Sequence, residues 1–272
     1  MNLKNKQIVF IGAGNMAEAL VAGILRAGIA VPESVRVTDV RADRREHVEG
    51  QYGVSAGADN RAAVRDADIV VLSVKPQIMG EVLEELKGAA SGNPLFISIA
   101  AGLSTRHIEQ ALGGTARVVR VMPNMPALVG CGAAALCGGA HAADEDLAVT
   151  EALLGAVGIT ARVEERVMDA VTALSGSGPA YVFYLMEAMQ NAASRMGLDS
   201  ETAKRLAAAT VEGAARAVRE TGLPPEELRR RVTSPGGTTE AALKVLSGGK
   251  FVETMIEAME AARRRAEEMS GR

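Results

Sequence analysis

A chain of 272 residues with a net charge of −3 has no global electrostatic reason to bind nucleic acid or anionic lipid. Hydrophobic residues at 48% and charged residues at 23% are ordinary for a soluble globular protein, and the length suits two domains or one large one. An aromatic share of 3%, without tryptophan, argues against stacking platforms for single-stranded nucleic acid, and no apolar run of roughly 18 residues offers a membrane span.

The first element is a short apolar run, Ile8, Val9, Phe10 and Ile11, the pattern of a strand buried on both faces of a parallel sheet. A helix follows at once and is expected to end near Gly28. A second strand covers residues 35–38, and residues 42–52 read as a helix with Asp43 placed to help start it. A short third strand begins at Val54, a brief helix covers residues 58–66, and residues 68–74 form the clearest central strand. Lys75 and Pro76 close it, because proline cannot extend the ladder. Residues 78–86 are helical, residues 94–100 are another buried strand, Ser104 caps a helix to about Leu112, and residues 116–122 are a further strand. A Gly/Ala-rich segment, residues 130–140, leads into a last helix–strand pair (143–154 and 159–163). Repeated βα units of this kind predict an α/β fold with a Rossmann-type doubly wound parallel sheet, whose ligands bind beyond the carboxyl ends of the strands.

The character changes near residue 163, beyond which no convincing strand occurs. The predicted division is therefore 1–163 for the sheet domain and 164–272 for an all-α domain. Residues 166–174 are expected to be helical. Pro179 opens a helix with Tyr181, Leu185, Ala188, Ala192 and Met196 on one face. Ser200 opens another, with Ala203, Ala207, Val211, Ala214 and Val218 as its stripe. Phe251, Met255, Met259, Ala262, Ala266 and Met269 line the last. These stripes read as core packing, part of it against a second subunit, and the arginine runs 229–231 and 263–265 read as solvated helix faces.

Residues 12–17 give G-x-G-x-x-A between a strand and a helix. Gly12 allows the tight turn, Gly14 lets backbone approach a pyrophosphate, and Ala17 lets the helix sit close to the strand. The helix points its unpaired N–H groups and positive dipole end at that phosphate. Asp39 ends the second strand, 22 residues beyond Ala17, where a ribose-binding carboxylate belongs. A carboxylate there favours NAD(H) and repels a 2′-phosphate, whereas Arg41, Arg44 and Arg45 are able to neutralise one; the choice between NADH and NADPH stays open.

Two later stretches combine hydroxyls, glycines and a proline ahead of helices: residues 174–181 (LSGSGPAY) and 232–239 (VTSPGGTT). Each predicts free backbone N–H groups and hydroxyls at a helix start, a ready carboxylate site. With no signal-peptide pattern ahead of them, Cys131 and Cys137 are expected to be small buried thiols in a reducing cytoplasm. His47, His107 and His141 are scattered without metal-ligand spacing, so no metal site is predicted, and no phosphate loop for ATP is present.

Five segments taken together, residues 11–16 (IGAGNM), 73–77 (SVKPQ), 122–126 (MPNMP), 175–181 (SGSGPAY) and 234–239 (SPGGTT), resemble pyrroline-5-carboxylate reductases in order and over essentially the whole chain. Met125 departs from the threonine usual in that family's loop. The resemblance implies reduction of (S)-1-pyrroline-5-carboxylate to L-proline by NADPH or NADH, the last step of proline biosynthesis. It also implies a Rossmann domain followed by an all-helical dimerisation domain, with dimers that assemble further, commonly into decamers. By position it assigns Ile11, Gly12, Ala13, Gly14, Asn15 and Met16 to the pyrophosphate. Asn60, Ser73, Val74, Lys75 and Pro76 fall to the ribose and nicotinamide side, and Ala100 and Ala101 to the dinucleotide edge. Ser234, Gly236, Gly237 and Thr238 would clamp the substrate carboxylate, and Thr239 would hydrogen-bond the ring nitrogen. Whether they serve their own subunit's cofactor or the partner's stays open. Competing readings are a β-hydroxyacid dehydrogenase, which needs a catalytic lysine that Lys204, Lys244 and Lys250 do not supply in a matching motif, and a non-catalytic dinucleotide sensor.

Overall fold

The structure, a computed structural model, describes residues 3–270. Strand β1 (Ile8–Ile11) is buried at all four positions, as its uninterrupted apolar sequence requires. It lies between β2 (Val35–Thr38) and β4 (Ile69–Leu72), with Ile8 opposite both Val35 and Ile69. Successive residues serve opposite faces: Ile8 and Phe10 join one hydrophobic core, Val9 and Ile11 the other. The first core takes in Val21 and Ile24 of α1 (Asn15–Arg26). The second takes in Met79 and Leu83 of α4 (Met79–Leu86) and Ile108 of α5 (Thr105–Ala111). Helices α2 (Ala42–Tyr52) and α3 (Asn60–Val64) flank the short β3 (Ser55–Gly57). As expected, Ser104 caps α5, its hydroxyl accepting from the His107 N–H at 3.2 Å.

The eight strands run in the order β3-β2-β1-β4-β5-β6-β7-β8, with β5 at Leu95–Ser98 and β6 at Arg117–Met122. All pairs are parallel except β6 with β7 (Gly132–Gly138). That antiparallel strand occupies the Gly/Ala-rich segment to which no strand was assigned. Glycine and alanine are weak strand formers, so propensity hid it. Their smallness is required there: a Cβ on Gly132 would lie 2.9 Å from the Ala127 Cβ, and one on Gly158 would overlap the Gly132 carbonyl. The pair of α6 (Asp144–Gly155) and β8 (Gly158–Arg162) completes the sheet. Cys137 is buried on β7, but Cys131 is exposed, which corrects the expectation of two buried thiols. It falls in the turn just before β7, where the chain has not yet entered the core.

Contacts divide the chain into two units, one running through Ser177 and resuming at Ala262, the other Gly178–Ala261. In the first, after β8, a 3-10 turn, α7 (Met168–Val171) and one π-helical turn (Thr172–Gly176) follow in succession. Arg120 on β6, only 2% exposed, reaches Glu165 at 3.3 Å and Asp169 at 3.6 Å. Glu165 in turn accepts from the N–H and hydroxyl of Thr105.

The second unit is helical. It contains α8 (Gly178–Arg195), α9 (Ser200–Thr221), α10 (Pro225–Arg231), α11 (Thr238–Gly248) and the start of α12 (Phe251–Met269). Helices α8 and α9 pack on each other. Asp199 caps α9, accepting from the Thr202 N–H at 2.9 Å, and Gly222 ends it in the left-handed conformation. Ala203 and Ala207 are buried, as the α9 stripe predicts. On α8, Leu185 and Met196 are exposed in the single chain, and Met186, Met189 and Ala193 form the more covered edge. Among the described residues no helix is long and apolar enough to cross a membrane.

Candidate active site

At the carboxyl ends of β1, β2 and β4 a cleft of about 550 Å³ opens, a size typical of small-molecule sites. Ile11, Gly12, Ala13, Gly14, Asn15, Asp39, Asn60, Ser73, Val74 and Lys75 all line it. Gly12 has φ +100°, and a Cβ there would meet the Ser73 carbonyl oxygen at 2.9 Å. Only glycine fits that turn. Gly14, at the N-cap of α1, has ordinary extended backbone, and a Cβ on it would touch nothing within 4 Å. The first glycine answers to the protein's own packing, whereas the second keeps open the space in front of a helix N-terminus. That is what a dinucleotide pyrophosphate needs.

The loop is braced from several sides. The Gly12 N–H donates to Thr38 at 2.8 Å, and the Ser73 hydroxyl lies 2.9 Å from both the Ile11 and Gly12 carbonyl oxygens. Asp39 accepts the Ala13 N–H on one carboxylate oxygen at 2.8 Å and the Arg41 N–H on the other at 2.9 Å. Asn60 donates to Glu85 at 2.8 Å. Behind the loop, Glu18 on α1 meets Arg44, His47 and Tyr52 on α2, and Arg44 also donates to the Ala13 carbonyl at 2.8 Å. Burial alone would raise the Glu18 carboxyl, but the hydrogen bonds to Arg44, His47 and Tyr52 outweigh it and hold it below its ordinary value.

Met16, Pro76, Ala100 and Ala101 lie off the cleft lining. Met16 borders a small pocket with Pro123 and Asn124, and Pro76 opens a 3-10 turn. Ala100 is buried and Ala101 half-buried just beyond β5. The cleft also contains residues that sequence reasoning passed over. Val40, 89% exposed, and Ile78 give it apolar rims; no periodicity marks either one. Asn124, within the 122–126 stretch, lies off this cleft. It is nearly buried, donates to the Ser175 carbonyl at 3.0 Å and accepts the Ala133 N–H at 2.8 Å. The neighbouring Met125 is half exposed in its 3-10 turn.

The first hydroxyl-rich stretch does not present the free helix start expected of it. Residues 172–176 wind as a π turn, the Ser177 N–H donates to Thr172 at 2.8 Å, and the Ser175 hydroxyl donates to Val171 at 3.2 Å. These two donors are spent on the preceding turn.

The second stretch, in the helical unit, does lead into a helix. Gly237 is the N-cap of α11, and Gly236 takes φ +71°. Gly236 and Gly237 line a hollow of about 570 Å³ with Thr233, Glu240 and Lys244. Thr239 is half-buried in the first turn of α11, whereas Ser234 and Thr238 are exposed. The Gly237 N–H donates to Ser234 at 3.0 Å, and the Gly236 N–H donates to the Glu240 carboxylate at 2.6 Å. An anion already sits at this turn, one supplied by the protein itself. Among the described residues no group of three or more His, Cys, Asp or Glu side chains is placed to hold a metal ion.

The doubly wound sheet, its glycine loop at a helix N-terminus and the carboxylate ending β2 define an NAD(P)-dependent oxidoreductase of Rossmann architecture. Residues 7–102 match the family model of NADP oxidoreductase, coenzyme F420-dependent, and residues 165–269 match that of pyrroline-5-carboxylate reductase dimerisation. Pyrroline-5-carboxylate reductase of Pseudomonas aeruginosa is 43% identical over 98% of this chain and 98% of its own. The structure of a pyrroline-5-carboxylate reductase from Coxiella burnetii superposes with a TM-score of 0.92 at 43% identity, covering 97% of this chain and 98% of that one. A Plasmodium falciparum pyrroline carboxylate reductase with NADP bound gives 0.88 at 32% identity, covering 98% and 99%. The chain belongs to the pyrroline-5-carboxylate reductase family.

Proposed function

We propose that the protein reduces (S)-1-pyrroline-5-carboxylate to L-proline with NADPH or NADH, the closing step of proline biosynthesis. The observation that carries the reading is Gly14: a glycine required by no neighbouring atom, at the mouth of a helix, in a chain that matches a reductase of this name end to end. The nicotinamide cofactor, when bound, supplies the hydride.

The protein's own contribution is position and electrostatics. Residues 11–16 hold the pyrophosphate at the α1 N-terminus, the Gly12 and Ala13 N–H groups being taken by Thr38 and Asp39, and Asp39 takes the ribose. Val40 and Ile78 give apolar surface to the adenosine end. Asn60, Ser73, Val74, Lys75 and Pro76 border the nicotinamide side, and Ala100 and Ala101 the edge. In the helical domain, which we take to begin at residue 164, Ser234, Gly236, Gly237 and Thr238 hold the substrate carboxylate. The Gly236 N–H is a donor of the kind a carboxylate needs, and the substrate would have to displace Glu240 from it. Thr239 accepts a hydrogen bond from the protonated ring nitrogen. A cyclic imine is basic enough to be protonated, and the iminium carbon then accepts hydride while the nitrogen keeps its proton as the amine of proline. Orientation supplies much of the rate, so glycines and hydroxyls suffice.

The helical domain is assigned to homodimerisation, with a decamer built from such dimers as the larger assembly, in the cytoplasm. The α8 and α11 side chains Tyr184 and Val245, 75% and 74% exposed, support a surface meant for cover. The test is oxidation of NADPH and NADH with and without the imine, with L-proline quantified. Cofactor binding without imine-dependent oxidation would overturn the reading in favour of a sensor.

A further inference from the structure

Three arginines follow Asp39, and the structure separates them. Arg44, with its side chain only 21% exposed, is held by Glu18 at 2.6 Å and by the Ala13 carbonyl at 2.8 Å. Arg45 donates to the carbonyls of Asp39 at 2.8 Å and Val40 at 3.1 Å. Both guanidiniums are spent on the backbone of the cleft, and withdrawing either would unfasten the loop it braces. Arg41 differs. Its side chain is 65% exposed and lines the cleft, and its recorded partner is Asp43, which accepts from Nε at 3.1 Å and from Nη2 alongside. The hydrogen bonds from Arg41 hold the Asp43 carboxyl below its ordinary value, so the pair is ionic at neutral pH.

We propose that Asp43 sets the balance between NADH and NADPH, by occupying the guanidinium of Arg41 that a 2′-phosphate would take. The inference rests on the cleft receiving the adenosine end of the dinucleotide beside Asp39. A ribose with a free 2′-hydroxyl meets Asp39 as it stands, with both carboxylate oxygens fixed by N–H groups. A 2′-phosphate at the same place meets a fixed negative charge and requires a compensating cation. Of the three arginines, Arg41 is the one able to turn without breaking a backbone bond, and it must exchange one anion for another to do so. Guanidinium favours a phosphate dianion over a single carboxylate, and an exposed ion pair is weak and salt-screened, so the exchange is feasible but not free. The cleft therefore takes NADH without rearrangement and NADPH through a change of partner.

The test uses the full-length protein and two fragments that differ only in the phosphate at issue, 5′-AMP and adenosine 2′,5′-bisphosphate, titrated calorimetrically. NADH and NADPH are titrated in parallel by their own fluorescence. Asp43→Asn should tighten the bisphosphate and NADPH by about two- to fivefold and leave 5′-AMP and NADH unchanged. Arg41→Gln should weaken the two phosphorylated ligands by about tenfold or more with the same selectivity. Asp43→Ser, which keeps a polar residue in the first turn of α2, should repeat the asparagine result. Equal shifts in both ligand pairs, or an unchanged ratio in the Asp43 variants, would overturn the proposal. If neither fragment binds the unaltered protein, the site reading fails instead.

Discussion

Gly12 and Gly14 stand two residues apart in one loop, and the structure gives them opposite reasons for being glycine. At Gly12, alanine would have to adopt φ +100° with its Cβ 2.9 Å from the Ser73 carbonyl oxygen and 3.0 Å from the Val74 side chain. The backbone strain is worth roughly 1–3 kcal/mol and the displacement of packed neighbours about as much again. Gly12→Ala should therefore lose about 2–5 kcal/mol, or roughly 5–20 °C in Tm for a chain of this size. At Gly14, alanine meets no atom within 4 Å. Its poorer N-capping and the reduced freedom of the unfolded chain nearly cancel, so Gly14→Ala should stay within about 1 kcal/mol of the parent. The methyl would instead stand where pyrophosphate approaches, and charge-assisted hydrogen bonds worth roughly 1.5–3 kcal/mol would be lost, weakening NADPH about 10- to 150-fold. Thermal melts with and without NADPH separate the two effects. A ligand at about 100 times its Kd stabilises by about 2.7 kcal/mol, so the parent should gain a clear shift that Gly14→Ala largely lacks. Equal destabilisation by the two substitutions, or unchanged NADPH affinity in Gly14→Ala, would refute the division of labour.

Thr239→Ala should lower kcat by about an order of magnitude through one lost hydrogen bond of ~1–2 kcal/mol, with little change in NADPH affinity; steady-state kinetics at saturating cofactor read it directly. Gly158→Ala should drive β7 and β8 apart at Gly132 and cost about 3 kcal/mol or more, visible as a fall in Tm. Glu18 has a folded-state pKa below its ordinary 4.5, so its contribution is complete above that value and is lost as pH falls through the lower, folded-state pKa. Glu18→Gln should thus lower stability at neutral pH and flatten the acid limb below pH 4.5, leaving the portion due to the other lowered carboxyls, among them Asp66 and Asp68, which Arg36 and Lys6 hold low.

Legibility in the sequence followed burial. Strands β1, β4 and β5 are covered on both faces, and such strands announce themselves as unbroken apolar runs. Strand β7 is made of Gly132, three alanines, Leu136, Cys137 and Gly138, chosen for close approach rather than propensity, and nothing in that composition says strand. The glycine loop and Asp39 were readable because strand, turn and helix chemistry agree there. The bracing of Asp39 by Ala13 and the Asn124 bridge were not, because both join residues distant in sequence through backbone groups. The stripe on α8 shows a different limit. Helical periodicity identifies an apolar face but not what covers it, and Leu185 and Met196 remain open in the single chain.

Across Gly178–Ala261 the near-complete burial among the described residues falls on two alanines, Ala203 and Ala207. Two methyl groups make almost no interior, so these helices draw little of their cohesion from themselves. With the dimerisation proposed above, their persistence would depend on how many copies of the chain are at hand, and dilution would act on them as a denaturant does on an ordinary domain. The sheet, with its two cores, carries no such debt to abundance.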